Sequence, residues 1–401
     1  MHHGVPRTRF AFPLLAYAFA AIMLGTTMPT PIYALYAEQM DFGVLATTVI
    51  YAMYAGGVLF ALLVFGRWSD AIGRRPILLA GVVAAVLSAA VFLTADSVAV
   101  LSIARVLSGL SAGLFTGTAT AAVIEAAPPN WRTRAAPVAT IANIGGLGAG
   151  PVVAGLLVQY APEPLRLSFA LHIVLVLLAG AAVLIAPETS ERTGRIGIQR
   201  LSVPAEVRTV FVIAAIAGFA GFAVTGLFMA VAPSFVADVA GIDNSAIAGL
   251  VASSIFIASA VTQVAVGGME PQRAVALGCA ILIAGMVILA VALGMSSFLG
   301  LIGAGLVSGV GHGIAFSRGL AAIAENTPAD RRAEVNSTYF VIGYVAISVP
   351  VVGEGLAAQT WGLRTAGVTF AVVVAALSIV CLVAILLREA REVREARTAA
   401  I

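Results

Sequence analysis

Residues 77–93 read ILLAGVVAAVLSAAVFL, seventeen consecutive positions with no charge and a single hydroxyl. In hydrocarbon every backbone N–H and C=O must be satisfied inside the segment, and about 20 apolar residues of helix cross the core of a bilayer. Twelve such runs follow one another, near 11–36, 44–65, 76–95, 98–123, 136–158, 165–186, 209–232, 245–267, 274–294, 298–322, 336–358 and 363–387. With a mean hydropathy of +1.05 and 61% hydrophobic residues, the chain lies outside the range of a soluble domain. The fold class that follows is an all-α membrane protein of twelve transmembrane helices.

Strands of a membrane barrel alternate polar and apolar residues over about ten positions, and these runs do not alternate. The first run follows Arg7 and Arg9 in the manner of a secretory signal, but it exceeds the usual apolar core and eleven spans follow, so it is read as a retained first helix. All basic residues are arginine, 22 in number. With the N-terminus inside, eighteen lie on cytoplasmic segments, Arg166 and Arg364 lie outside, and Arg105 and Arg318 lie within spans. This asymmetry predicts a multi-pass protein of the inner (cytoplasmic) membrane with both termini cytoplasmic. Arginines scattered over short loops do not make a nucleic-acid surface, so the expected surroundings are lipid, with no nucleic acid. Cys279 and Cys381 sit on different spans and fit no metal or disulfide pattern.

The longest polar stretch, PETSERTGRIGIQRLSVPAEVR at 187–208, divides the chain into 1–186 and 209–387, six spans each, with a charged tail at 388–401 that reads as a short solvated helix. A shift of 200 residues superposes Glu125 on Glu325, Pro128 on Pro328, Arg132 on Arg332, Gly109 on Gly309, Gly113 on Gly313 and Asp70 on Glu270. Even-numbered halves enter from the same side, so the expected fold is two six-helix pseudo-symmetric bundles, parallel repeats of the kind found in two-lobed secondary transporters. Trp68, Trp131 and Trp361 all fall at expected membrane edges.

The loop between spans two and three is unusually charged for this chain. It reads Gly66-x3-Asp70-x2-Gly73-Arg74-Arg75 and resembles the loop signature of the major facilitator superfamily, departing from it at Ala71, where that family carries a basic residue. In span four, Arg105, Gly109 and Gly113 resemble the family's buried-arginine motif. In span five the run around Gly146, Gly150, Pro151 and Gly155 resembles its antiporter motif, with Ala154 in place of a glycine. The end of span one, with Pro29 and Pro31, and Pro187-Glu188-Thr189 after span six are similar to further family segments, and the antiporter resemblance points to the twelve-span drug/proton antiporters. The resemblance implies the major facilitator fold, with Asp70 meeting a helix start and basic groups of the opposite half when the cytoplasmic side closes. Glu125 with Arg132 and Glu325 with Arg332 are read as gate or loop-anchoring pairs.

The spans that line the family's cavity offer Tyr33, Tyr36, Tyr51, Tyr54, Asn143, Phe222, Phe228, Gln263, Phe316, Asn336, Tyr339, Phe340 and Tyr344 as substrate contacts. An aromatic chamber with few charges suits a moderately apolar ligand. Proton coupling needs a titratable group, and the candidates are Glu38, Asp41, His312 and Glu354, whereas His172 reads as packing and Arg318 as reaching for the cytoplasmic edge. Arg105, Thr116 and Thr120 share one helical face. Short loops poor in His and Cys argue against an enzyme, and no metal or cofactor is expected. A chain without lysine cannot carry the ATP-binding loop. The expectation is a monomeric secondary transporter that exports a small amphipathic compound against protons. The alternative is an importer or facilitator of a sugar or organic acid on the same fold.

Overall fold

The computed structural model describes residues 7–328 and 331–399. Residues 1–6 of the first expected unit and 400–401 of the tail lie outside the described residues, as do several tail side chains, Arg394 and Arg397 among them. Among the described residues twelve helices are long and apolar enough to span a membrane: α1 (Phe10–Met40), α2 (Val44–Phe65), α3 (Arg74–Leu93), α4 (Val98–Glu125), α5 (Pro129–Tyr160), α6 (Leu167–Ile185), α7 (Ala205–Ala230), α8 (Ser245–Ala265), α9 (Pro271–Gly294), α10 (Phe298–Asn326), α11 (Arg332–Trp361) and α12 (Leu363–Arg391). Several outrun their apolar stretch because a helix can continue into the polar interface. The last continues furthest: Leu363–Ala399 is one uninterrupted helix, so the tail is not a separate element.

Sequence chemistry sets the irregularities. Around Pro29 and Pro31 the first span changes to a 3-10 turn, Thr30–Ile32, where proline removes a backbone donor. In α5 a five-residue π turn, Ile141–Gly145, falls between Pro137 and Pro151, the kind of interruption that bends a helix. The α2–α3 turn passes through Gly73 at φ 111°, a conformation that a residue with a Cβ rarely adopts.

The chain crosses back and forth, so one face carries the Asp70 loop and the 187–204 linker (the linker face), and the other carries the α1–α2 and α7–α8 turns (the far face). Within the first bundle α4 packs on α2 through Gly109 and Gly113, where a Cβ would stand 2.0 Å from the Tyr54 carbonyl oxygen and 2.5 Å from Ala61. The second bundle repeats this contact, with Gly309 and Gly313 of α10 against Ile255 and Ser259 of α8. The two bundles meet on the far-face side. Gly155 of α5 lies on Ser245 of α8, Gly249 lies on Pro151, Gly355 of α11 lies on Thr48 of α2, and the Gln159 side chain accepts the Ser245 N–H at 2.8 Å. Buried apolar side chains cross this boundary, Tyr51 and Ile144 joining Val224, Leu227 and Ile255 in one cluster.

Candidate transport cavity

On the linker-face side the bundles part around a cavity of about 860 Å3, walled by α2, α4, α5, α8, α10 and α11. Exposed Arg67, Asp70 and Ala333 belong to its wall, so it is continuous with the linker-face surface. Asn143, Gln263, Phe316, Asn336 and Phe340, all anticipated as substrate contacts, line it. Thr116, Thr120, Thr140, Ser317 and Ser337 line it as well. The hydroxyls of Thr116, Thr120 and Ser317 donate to the carbonyl one turn back, and Thr116 also meets the Tyr344 hydroxyl of α11.

The remaining anticipated contacts lie off the cavity wall. Tyr33, Tyr36, Tyr51, Tyr54, Phe228 and Tyr339 are buried, and Phe222 and Tyr344 are half-buried in the helix packing around it. Arg105 is also absent from the wall. It is only 2% exposed, donates from Nη1 to the Thr26 carbonyl at 2.6 Å, and lies over the Tyr54 and Tyr51 rings at 4.6 and 5.5 Å. Shared helical face did not mean shared depth: eleven residues separate Arg105 from Thr116, about 16 Å along the axis. Tyr33 Oη and Arg105 Nε are buried without a hydrogen-bond partner.

Behind the cavity wall a stack of rings runs through the second bundle. Phe316 stacks on His312 (5.8 Å) and on Tyr339 (6.0 Å), with Phe222 edge-on at 5.1 Å. His312 is 1% exposed, yet one chain of polar groups joins it to the cavity. Gln263 donates from Nε2 to the Ser259 oxygen at 3.0 Å, which leaves the Ser259 O–H free to donate to His312 Nδ1 at 2.9 Å. Glu354 lies on α11 beside Gly355, at the far-face seal. It is 3% exposed, the only buried acidic side chain among the described residues, and neither carboxylate oxygen has a hydrogen-bond partner. Glu38 and Asp41, by contrast, are exposed on the far-face turn, away from the cavity. His172 packs on α1 with Nε2 3.3 Å from the Ala21 carbonyl, and Arg318 donates to the Gly267 and Met269 carbonyls at the end of α8.

At the cavity mouth the charges pair differently from the sequence expectation. Arg74 is the hub, bonding Asp70 at 2.5 Å and Glu125 at 2.9 Å, and Thr189 donates to Glu125 at 2.6 Å. Glu125 therefore engages the adjacent loop and the linker, while Arg132 is exposed on the first turns of α5. Glu325 lies in a small cleft with Glu270 and Arg388, and Arg332 turns its Nε to the Thr327 carbonyl. Nearness in sequence did not decide the partner of Glu125, because a carboxylate at the end of a helix reaches whichever loop the fold brings near. A residue with no assigned role in the sequence reading, Glu188, accepts the Arg74 and Arg75 N–H groups at 2.8 and 3.2 Å. It caps α3 from across the bundle; its only sequence signal was its place in Pro187-Glu188-Thr189.

Two six-helix bundles around a chamber that is open on one face and sealed on the other have the architecture of a two-lobed secondary transporter. Residues 15–349 match the profile of the Major Facilitator Superfamily. The chain belongs to that family of membrane transporters. Among curated relatives it is similar to the Tetracycline resistance protein, class E, of Escherichia coli, 37% identical over 106 residues, 26% of each chain. It is also similar to the Uncharacterized MFS-type transporter YhjO of Bacillus subtilis (strain 168), 26% identical over 159 residues, 39% of this chain and 40% of that one. The matched region thus spans about a quarter and two fifths of these relatives' lengths.

Proposed function

We propose that the protein is a proton-coupled exporter of small amphipathic compounds, working by alternating access in the cytoplasmic membrane with both termini and the linker face on the cytoplasmic side. The observation that carries this reading is the cavity: rings of Phe316 and Phe340 beside the amides of Asn143, Gln263 and Asn336, a lining that suits a largely apolar compound with a few hydrogen-bonding groups. The arginine asymmetry supports the orientation, and the similarity to a tetracycline resistance protein supports export of a drug-like compound. The cavity then receives its cargo from the cytoplasm, and parting of the α5–α8 and α2–α11 contacts releases it outside.

Two groups support coupling. A buried carboxylate without a partner is costly to ionise in place, so a proton taken up by Glu354 from the outside permits the far face to seal, and its later loss toward the linker-face cavity lets that seal part again, carrying one proton inward as cargo leaves. His312, linked to the cavity through Ser259 and Gln263, is a second site for a proton that responds to the cargo. In everted vesicles with an imposed pH gradient, tetracycline and ethidium accumulation should be proton-driven and collapse with an uncoupler. Uptake of a sugar or organic acid that survives the uncoupler would replace this reading with the facilitator one.

A further inference from the structure

The linker between the bundles runs along the rim of the cavity, and Gln199 and Arg200 are part of its wall. On the first-bundle side it is held at two points. The Gly194 N–H donates to the Asp70 carbonyl at 3.0 Å, with so little room that a Cβ on Gly194 would stand 2.7 Å from that of Asp70. The Gln199 N–H donates to the Leu63 carbonyl of α2 at 2.8 Å, and its side chain is buried beside Gly66. Three residues later the chain belongs to the second bundle. The Ser202 N–H donates to Thr338 Oγ1 on α11 at 3.1 Å, Arg331 donates to the Ser202 hydroxyl at 2.6 Å, and Val203 packs against the cluster of Phe211, Val335 and Tyr339.

From this we infer that residues 199–202 are a strap that sets the greatest width of the cavity mouth, and hence the bulk of compound it admits. Three residues of extended chain span at most about 11 Å. While Gln199 stays on α2 and Ser202 on α11, those two anchor points cannot separate beyond that reach, whereas their approach only slackens the strap. Opening of the linker face is therefore limited from one side only. This goes beyond the proposed export activity and does not depend on protons or on the identity of the cargo.

The test measures width without substrate or gradient. On a background with the buried Cys279 and Cys381 replaced by alanine, spin labels at Arg67→Cys and Ala333→Cys report the distance across the mouth. Inserting Gly-Ser-Gly between Leu201 and Ser202 should add a population up to about 10 Å longer. Thr338→Val, which removes one anchor, should broaden the distribution the same way. The same insertion after Arg195, between two anchors on one bundle, should leave it unchanged. A thiol-reactive, membrane-impermeant maleimide should label Asn143→Cys several-fold faster from the linker face in the lengthened strap. Unchanged distances with the longer strap, or equal widening from the insertion after Arg195, would overturn the inference. Because neither readout involves export, failure of the unaltered protein to export tetracycline or ethidium would count against the proton-coupled reading and not against the strap.

Discussion

Glu188 shows what one side chain does for the cavity mouth. Burial pushes its carboxyl up, but the N–H groups of Ser190, Arg74, Arg75 and Thr189 together outweigh this and hold it below the usual carboxylate range. A depressed value means that the cap's contribution is present at neutral pH and is lost as pH falls through that lowered value. Glu188→Ala should free the linker start, giving several-fold faster trypsin cleavage after the exposed Arg192 and Arg195 at neutral pH with the helical content unchanged. At the other end of the molecule, Glu354→Gln cannot release a proton. Proton-driven export should fall to background, while exchange of labelled for unlabelled cargo persists; equal losses of both would assign Glu354 to packing. Glu354 was named from sequence as a titratable candidate, but its isolation is a property of the assembled interface, and the cap made by Glu188 was not legible because it acts on a helix 113 residues away in sequence.

At the scale of elements, the glycines of α5 and α8 matter through what they let approach. The Gly249 position lies so close to the Pro151 carbonyl that a Cβ would be 2.2 Å from its oxygen. Gly249→Val should overpack this contact at a cost of about 1–3 kcal/mol, shifting the balance toward the state open on the far face. The measurement is far-side maleimide labelling of Gln159→Cys, expected to rise; labelling that stays flat would separate the contact from gating. The glycine spacing of α4 and α10 was legible in the sequence as small residues that allow close packing. Their partners, α2 and α8, were not, since periodicity names the face of a helix and not the helix that covers it.

For the whole molecule, the decisive property is that the bundles touch on the far-face side and part around the cavity on the linker-face side. In the conformation open to the linker face, Asp70 is paired within its own bundle with Arg74; the proposed gating role has it exchange that partner for groups of the opposite bundle when this face closes. Asp70→Asn should therefore impair transport while the amount of protein in the membrane is unchanged. Conversely, oxidising a Gln159→Cys/Ser245→Cys pair should hold the far face shut and stop export, with reductant restoring it. Export that continues through the cross-link would be incompatible with alternating access across this seal.

The all-helical class and the number of spans were readable from residue order, because lipid demands a long apolar stretch for every crossing and punishes every stray charge. Asn143, Gln263, Phe316, Asn336 and Phe340 were anticipated at the cavity; Tyr33, Tyr51 and Tyr54, equally plausible along their helices, lie deep in the packing instead. Depth was the missing coordinate. Which face is sealed, which arginine Glu125 meets, and how the linker reaches both bundles depend on contacts between segments 51 residues or more apart, and those contacts exist only once the bundles have packed.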